Sequence, residues 1–232
     1  METVPKFVLL LFAATTLLTI WLFFKAANES KKMLLLITAW MVIISALGIA
    51  GFYLNTEAIP PRMFLLIGPP SLLILILPFT SRGKIFIESL SLSRLTLLHT
   101  IRIPVEITLF YVALSGLIPE IMTFEGNNID IISGISAPVM YFLVFKYKNI
   151  GMKSLLIWNY ICIALLLNIL IIAILAAPTP FQQIAFDSPN NAVTYFPFIW
   201  LPGLIVPVVL FSHVAAIIRI RAQLKDQSRI AD

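Results

Sequence analysis

Residues 95–118 read "LTLLHTIRIPVEITLFYVALSGLI", an apolar run that contains a histidine, an arginine and a glutamate. About 20 apolar residues suffice for a helix to cross a bilayer, because each residue adds about 1.5 Å. On such a helix His99, Arg102 and Glu106 share one face, about 60° wide. Ionised groups at membrane depth are costly unless they are paired or hydrated. This face must therefore contact protein rather than lipid, which predicts a bundle of membrane-spanning helices.

The composition of the whole chain favours the same class of protein. Of its 232 residues, 60% are apolar and 12% are charged, whereas soluble domains have about 25% charged residues. Lipid rather than water is expected to cover the surface of such a chain. The single cysteine, Cys162, excludes an internal disulfide framework and a Cys-x-x-Cys site.

Six further segments are long and apolar enough to cross a membrane. We predict an all-α polytopic membrane protein, a seven-transmembrane-helix bundle that forms one integral membrane domain over residues 1–232. The predicted spans are 7–24, 33–54, 63–81, 95–118, 128–145, 154–177 and 196–218.

The basic residues are sorted between the two sides of this bundle. Three lie in 25–32, three in 82–94, three in 146–153 and four after residue 218, all on one side. The other side has Lys6 and Arg62. Because Lys and Arg stay in the cytoplasm, we predict an outside N-terminus and a cytoplasmic C-terminus. This sorting accounts for the net charge of +5 without nucleic acid as a partner.

The last predicted span contains a second group of polar residues. His213 lies six residues before Arg219, and His99 lies five residues after Arg94, so both are about 7–9 Å from the cytoplasmic end. Asn159 is expected at a similar depth. We predict a buried polar pocket, made of His99, Arg102, Glu106, Asn159, Ser212 and His213.

This pocket allows three interpretations of function, and whether the protein is an enzyme stays open. In the leading one, Glu106 and a histidine carry protons or Arg102 holds a small ligand. In the second, His99 and His213 ligate a haem or a metal in a membrane redox protein. In the third, Arg102 and Glu106 neutralise each other in a scaffold or assembly partner without chemistry.

An outer loop, "PEIMTFEGNNID" (119–130), contains three acidic residues: Glu120, Glu125 and Asp130. Their spacing lacks the pattern of an EF-hand loop, so a solvated loop is favoured over a calcium site. Walker A, GxGxxG and HExxH motifs are absent from the sequence. Residues 196–218 contain no lysine, which excludes a retinal Schiff base in the last span.

Four stretches carry a family resemblance: "HTIRIPVE" (99–106), "MTFEGNNIDIISGISAP" (122–138), "PFQQIAFD" (180–187) and "WLPGLIVPVVLFSH" (200–213). Together they resemble a group of uncharacterised bacterial seven-pass inner-membrane proteins, and the likeness covers most of the chain. The resemblance implies a multi-pass protein of the bacterial inner membrane. It carries no catalytic residues over.

Overall fold

The structure of this chain is a computed structural model that describes residues 3–231. Its fold is built from helices. Within that range there are nine α-helices and no β-strand, so the all-α prediction is confirmed. The helices are α1 (Lys6–Ala26), α2 (Lys31–Ile49), α3 (Phe64–Ile76), α4 (Ser81–Ser89), α5 (Leu92–Leu98), α6 (Arg102–Leu114), α7 (Ile131–Tyr141), α8 (Met152–Leu175) and α9 (Val206–Ala231).

Five helical segments are long and apolar enough to cross a membrane. They are α1, α2, the continuous stretch Leu92–Leu114, α8 and Leu201–Arg229. These segments indicate a multi-pass membrane protein. Two of the seven predicted spans, 63–81 and 128–145, have a different form.

The predicted span 63–81 ends in a sharp bend. Helix Phe64–Phe79 is followed by α4 at an angle of 95°. The Thr80 hydroxyl caps α4 by accepting a hydrogen bond from the backbone N–H of Gly83 at 3.0 Å. A Cβ atom at Gly83 would overlap the carbonyl group of Leu77, so only glycine allows this close approach.

The predicted span 128–145 is a shorter helix in the structure. α7 continues as a π-helical segment to Lys146, and the whole of Ile131–Lys146 is about 24 Å long. The hydrocarbon core of a bilayer is about 30 Å thick. The loop before α7 folds back on itself through backbone bonds, such as Asn128 N–H to the Thr123 carbonyl at 3.2 Å. Its residues Met122, Thr123 and Asn128 are buried.

The α5–α6 segment lies among the other helices. α5 packs against α1, α7 and α9, and α6 packs against α1 and α7. α2 lies further out, and Ile44 is its buried side chain. Trp40 Nε1 of α2 donates to the Gly203 carbonyl at 2.7 Å. Pro207, four residues after Gly203, has no N–H to donate to that carbonyl.

Candidate functional site

The helical segment Leu92–Leu114 changes its helical form at His99. His99–Ile101 form one 3₁₀ turn between α5 and α6. Pro104 has no N–H to donate to the carbonyl of Thr100, four residues earlier, which favours this tighter turn. His99, Arg102 and Glu106 are 0%, 3% and 2% exposed. The polar face of this span therefore lies inside the protein.

Arg102 connects three other parts of the chain. Its Nη1 donates to Asp130 Oδ1 at 2.6 Å, which makes a buried ion pair. Nη1 also reaches the Cys162 carbonyl at 3.4 Å, and Nη2 reaches His213 Nε2 at 3.2 Å. Ser133 Oγ donates a further hydrogen bond to Asp130 Oδ1 at 3.1 Å. The partner of Arg102 in the structure is thus Asp130, not Glu106 as the scaffold interpretation assumed.

The bonds of His213 fix its charge and its tautomer. A guanidinium group has donors only, so Nε2 of His213 must accept the bond from Arg102. The hydrogen is then on Nδ1, which donates to Asn159 Oδ1 at 2.8 Å. The amide nitrogen of Asn159 donates to the Leu155 carbonyl at 2.8 Å. His213 is therefore held neutral, with both of its ring nitrogens occupied.

His99 lies beside this chain of hydrogen bonds and takes no part in it. Its ring is stacked on the ring of His213, with the centroids 3.8 Å apart and the planes 12° from parallel. The rings of Trp158 and His99 are in a T-shaped arrangement, with their centroids 5.6 Å apart. Among the described residues, neither ring nitrogen of His99 has a hydrogen-bond partner. A buried polar group in this state costs about 1–3 kcal/mol and calls for a structural or functional reason.

Glu106 is bound by an amide rather than by a cation. Asn128 Nδ2 donates to Glu106 Oε2 at 2.7 Å and to the Met122 carbonyl at 3.0 Å. The oxygen of the same Asn128 amide accepts from the backbone N–H of Asp130 at 3.2 Å. The loop before α7 therefore places one asparagine between the Glu106 carboxyl group and the backbone of Asp130.

A cavity of about 80 Å³ adjoins these groups. Arg102, Glu106 and Asp130 lie in its wall, and side chains of α8 and α9 such as Leu166 and Val209 complete it. A molecule of liquid water occupies about 30 Å³, so the cavity has room for a few water molecules. Arg102 Nε is buried without a hydrogen-bond partner among the described residues. The wall of this cavity is mostly apolar, and the site combines three ionisable residues at its edge with space and unused hydrogen-bonding groups.

The structure brings together four of the six predicted pocket residues: His99, Arg102, Asn159 and His213. Glu106 joins them through Asn128 and the shared cavity. Ser212 is buried but donates to the Val208 carbonyl of its own helix at 2.7 Å, and the structure shows no bond from it to the other pocket residues.

The acidic loop is only partly as predicted. Glu120 and Glu125 are exposed, whereas Asp130 is 4% exposed, so the prediction of a solvated loop is wrong for Asp130. The reason is that Asp130 directly precedes α7, which packs against the start of α6 and brings the carboxylate to Arg102. The sequence analysis missed Asn128 and Ser133. Ser133 lies three residues after Asp130, which is a readable signal, but nothing local indicated Asn128.

The arrangement of the two histidines does not fit a haem. Their rings face each other 3.8 Å apart, which leaves no room for a porphyrin plane between them. Both ring nitrogens of His213 are engaged with other side chains. Within residues 3–231, no group of three or more His, Cys, Asp or Glu side chains could hold a metal ion.

Neither a curated protein nor a solved structure matches this chain. A family described as a domain of unknown function, DUF8737, matches residues 59–221. The match covers more than half of the chain and includes the buried cluster of His99, Arg102, Glu106, Asp130 and His213. Helices α1 and α2 precede the matched residues. The protein therefore belongs to the DUF8737 family of domains of unknown function.

Proposed function

We propose that the protein passes protons across a membrane through the buried cluster of His99, Arg102, Glu106, Asp130 and His213. The proposal rests above all on one observation. Among the residues that the structure describes, the ring nitrogens of His99 and the Nε of Arg102 are buried without partners, next to a site whose cavity has two carboxyl groups in its wall. Ionisable groups at membrane depth commonly mark a proton or substrate path.

The proposal includes a topology of seven spans in one integral domain. Five helices are long and apolar enough to cross. We assign the sixth crossing to the bent α3–α4 pair and the seventh to the shorter apolar helix Ile131–Lys146. The sorting of basic residues supports an outside N-terminus and a cytoplasmic C-terminus. The resemblance found in the sequence favours the bacterial inner membrane.

The topology predicts the labelling of two introduced cysteines that flank the short helix α7. Glu125 and Asn149 are both exposed. In intact cells, a membrane-impermeant maleimide should label Glu125→Cys and should label Asn149→Cys only after the cells are opened. The native Cys162 is 2% exposed and serves as the unlabelled background. Equal labelling of both variants in intact cells would show that α7 does not cross the membrane.

The two carboxyl groups of the cluster differ in whether a positive charge neutralises them. Asp130 neutralises Arg102, and the hydrogen-bond donor to Glu106 is the uncharged amide of Asn128. An ionised Glu106 would be a buried charge without a counter-ion, which is strongly unfavourable. Glu106 is therefore suited to hold a proton and to release it when the cavity contains water.

The two histidines differ in the same respect. His213 cannot take a proton on Nε2 without losing its bond to Arg102. Neither ring nitrogen of His99 is bonded among the described residues, so the nitrogen without a hydrogen can take a proton without breaking a hydrogen bond. The stacked pair thus provides one fixed ring and one ring that is free to exchange protons.

The test is proton flux into vesicles that contain the purified protein and a pH-sensitive dye. The variant Glu106→Gln keeps an oxygen that can accept from Asn128 but cannot carry a proton. We expect flux under an imposed pH gradient to fall at least about tenfold while the melting temperature stays unchanged. The matched control is Glu120→Gln at an exposed position, which should keep full flux.

The opposite result would favour the scaffold interpretation. In that case wild-type vesicles would take up protons no faster than empty vesicles. Glu106→Gln would then change only the melting temperature or the amount of folded protein.

A further inference from the structure

A second cavity opens on the outside of the bundle, away from the ionisable cluster. It has a volume of about 270 Å³ and lies between α2, α3 and α9. On α2 its wall is formed by Met33, Leu36, Ile37 and Trp40, which share one helix face. The facing wall on α3 contains two prolines and a leucine, and that on α9 contains a proline, a valine and a phenylalanine. We call this cavity the α2–α3–α9 groove.

On α2 the wall of the groove extends from Trp40 towards the N-terminal end of the helix. The bond from Trp40 Nε1 to the Gly203 carbonyl joins α2 to the helix that leads into α9. Beyond that contact the wall residues Leu36 and Leu73 are 60% and 49% exposed. From Pro69 to Leu77 the wall on α3 extends about 12 Å, close to half of the hydrocarbon thickness. In a membrane, a lipid chain is the molecule available to fill an apolar groove of this length.

Two basic residues flank the groove in the first turns of α2 and α4. Lys32 lies one helical turn before Leu36 on α2, and Arg82 lies one turn before Phe86 on α4, so each shares a face with a wall residue. Both basic residues are exposed. Glu88 lies two residues from Phe86 and therefore on another face of α4.

From this geometry we infer that the α2–α3–α9 groove is a binding site for one anionic phospholipid. One acyl chain lies along the apolar walls, and the phosphate-bearing headgroup lies between Lys32 and Arg82. Lys and Arg near a membrane surface attract anionic lipids, each with about a fivefold preference. This site is distinct from the proton path, because the groove and the cavity beside Glu106 share none of their lining residues within the described part of the chain.

The test is native mass spectrometry of the delipidated, purified full chain with added phosphatidylglycerol or phosphatidylcholine. We expect one bound phosphatidylglycerol in preference to phosphatidylcholine. Lys32→Gln and Arg82→Gln should each lower the affinity for phosphatidylglycerol about fivefold and leave that for phosphatidylcholine unchanged. Lys153→Gln, an exposed basic residue on α8, is the control.

A second pair of variants tests the groove itself. Leu73→Trp should fill the groove and weaken the binding of both lipids. Leu75→Trp, on the same helix but outside the groove, should bind lipid normally, and both positions are exposed, so both variants should fold. Equal binding by the two variants, or no preference for the anionic lipid, would overturn the inference. A dimer that Leu73→Trp dissociates would show that a second copy fills the groove, and would overturn it too.

Discussion

Replacing Asp130 with alanine is expected to destabilise the protein by about 3–5 kcal/mol, because it leaves the buried guanidinium of Arg102 without its counter-ion. Arg102 is 3% exposed, so bulk solvent does not surround its charge once the carboxylate is lost. The bond from Ser133 to Asp130 is lost as well. Denaturant titration in detergent micelles would measure the change in the free energy of unfolding.

A double mutant distinguishes the contribution of the two charges to stability from that of the volume of their side chains. Arg102→Met combined with Asp130→Leu removes both charges and keeps side chains of similar size. Because no uncompensated charge remains, we expect the double mutant to be more stable than Asp130→Ala alone. Glu29→Ala, which breaks the exposed Lys25–Glu29 pair, should leave the unfolding curve almost unchanged. An Asp130→Ala curve that coincides with the Glu29→Ala curve would contradict a stabilising role for the buried pair.

Replacing Gly134 with alanine is the second change with a large expected effect. A Cβ atom at this position would lie 2.9 Å from the backbone nitrogen of Ile103 and 3.2 Å from Cβ of Arg102. A backbone atom cannot move aside as a flexible side chain can, so α7 would have to shift. We expect a loss of about 1–3 kcal/mol, as for overpacking in a core, measured by the same titration.

Gly68→Ala is the matched control for this prediction. Gly68 also lies inside a helix, but a Cβ atom there would meet nothing within 4 Å. Alanine favours a helix more than glycine does, whereas a Cβ atom before Pro69 disfavours the helical conformation, so Gly68→Ala should lower the stability less than Gly134→Ala. Equal stability of the two variants would mean that α6 and α7 separate easily, and would weaken the case for a fixed Arg102–Asp130 pair.

Apolar length was a good guide to the long helices and a poor one to the interrupted ones. α1, α2 and α8 follow directly from uninterrupted apolar runs. For residues 63–81 the length of the apolar run did not indicate the helix cap at Thr80 or the close approach at Gly83, which together bend the chain. Those signals are local and could have been read from the sequence.

Depth along the helices was informative about the site, and loop composition was not. Counting residues from Arg94 and Arg219 placed His99 and His213 at one level, and the structure stacks their rings. Asn128 and Asp130 resemble the residues of any solvated loop. Their burial depends on how α7 packs against α6, a contact between distant parts of the chain that neither spacing nor hydropathy encodes.

The short α7 also affects how the protein would respond to voltage. Moving one elementary charge through 100 mV corresponds to about 2.3 kcal/mol, wherever along the path the potential falls. Beside a helix of about 24 Å, that potential falls over a shorter distance than across a bilayer of about 30 Å. In the proposed topology, the electric field along α7 is therefore steeper, and Asp130, which directly precedes α7, lies at the edge of this field. A charge that moves between Glu106 and the aqueous side would accordingly sense a large share of the membrane potential in a small displacement.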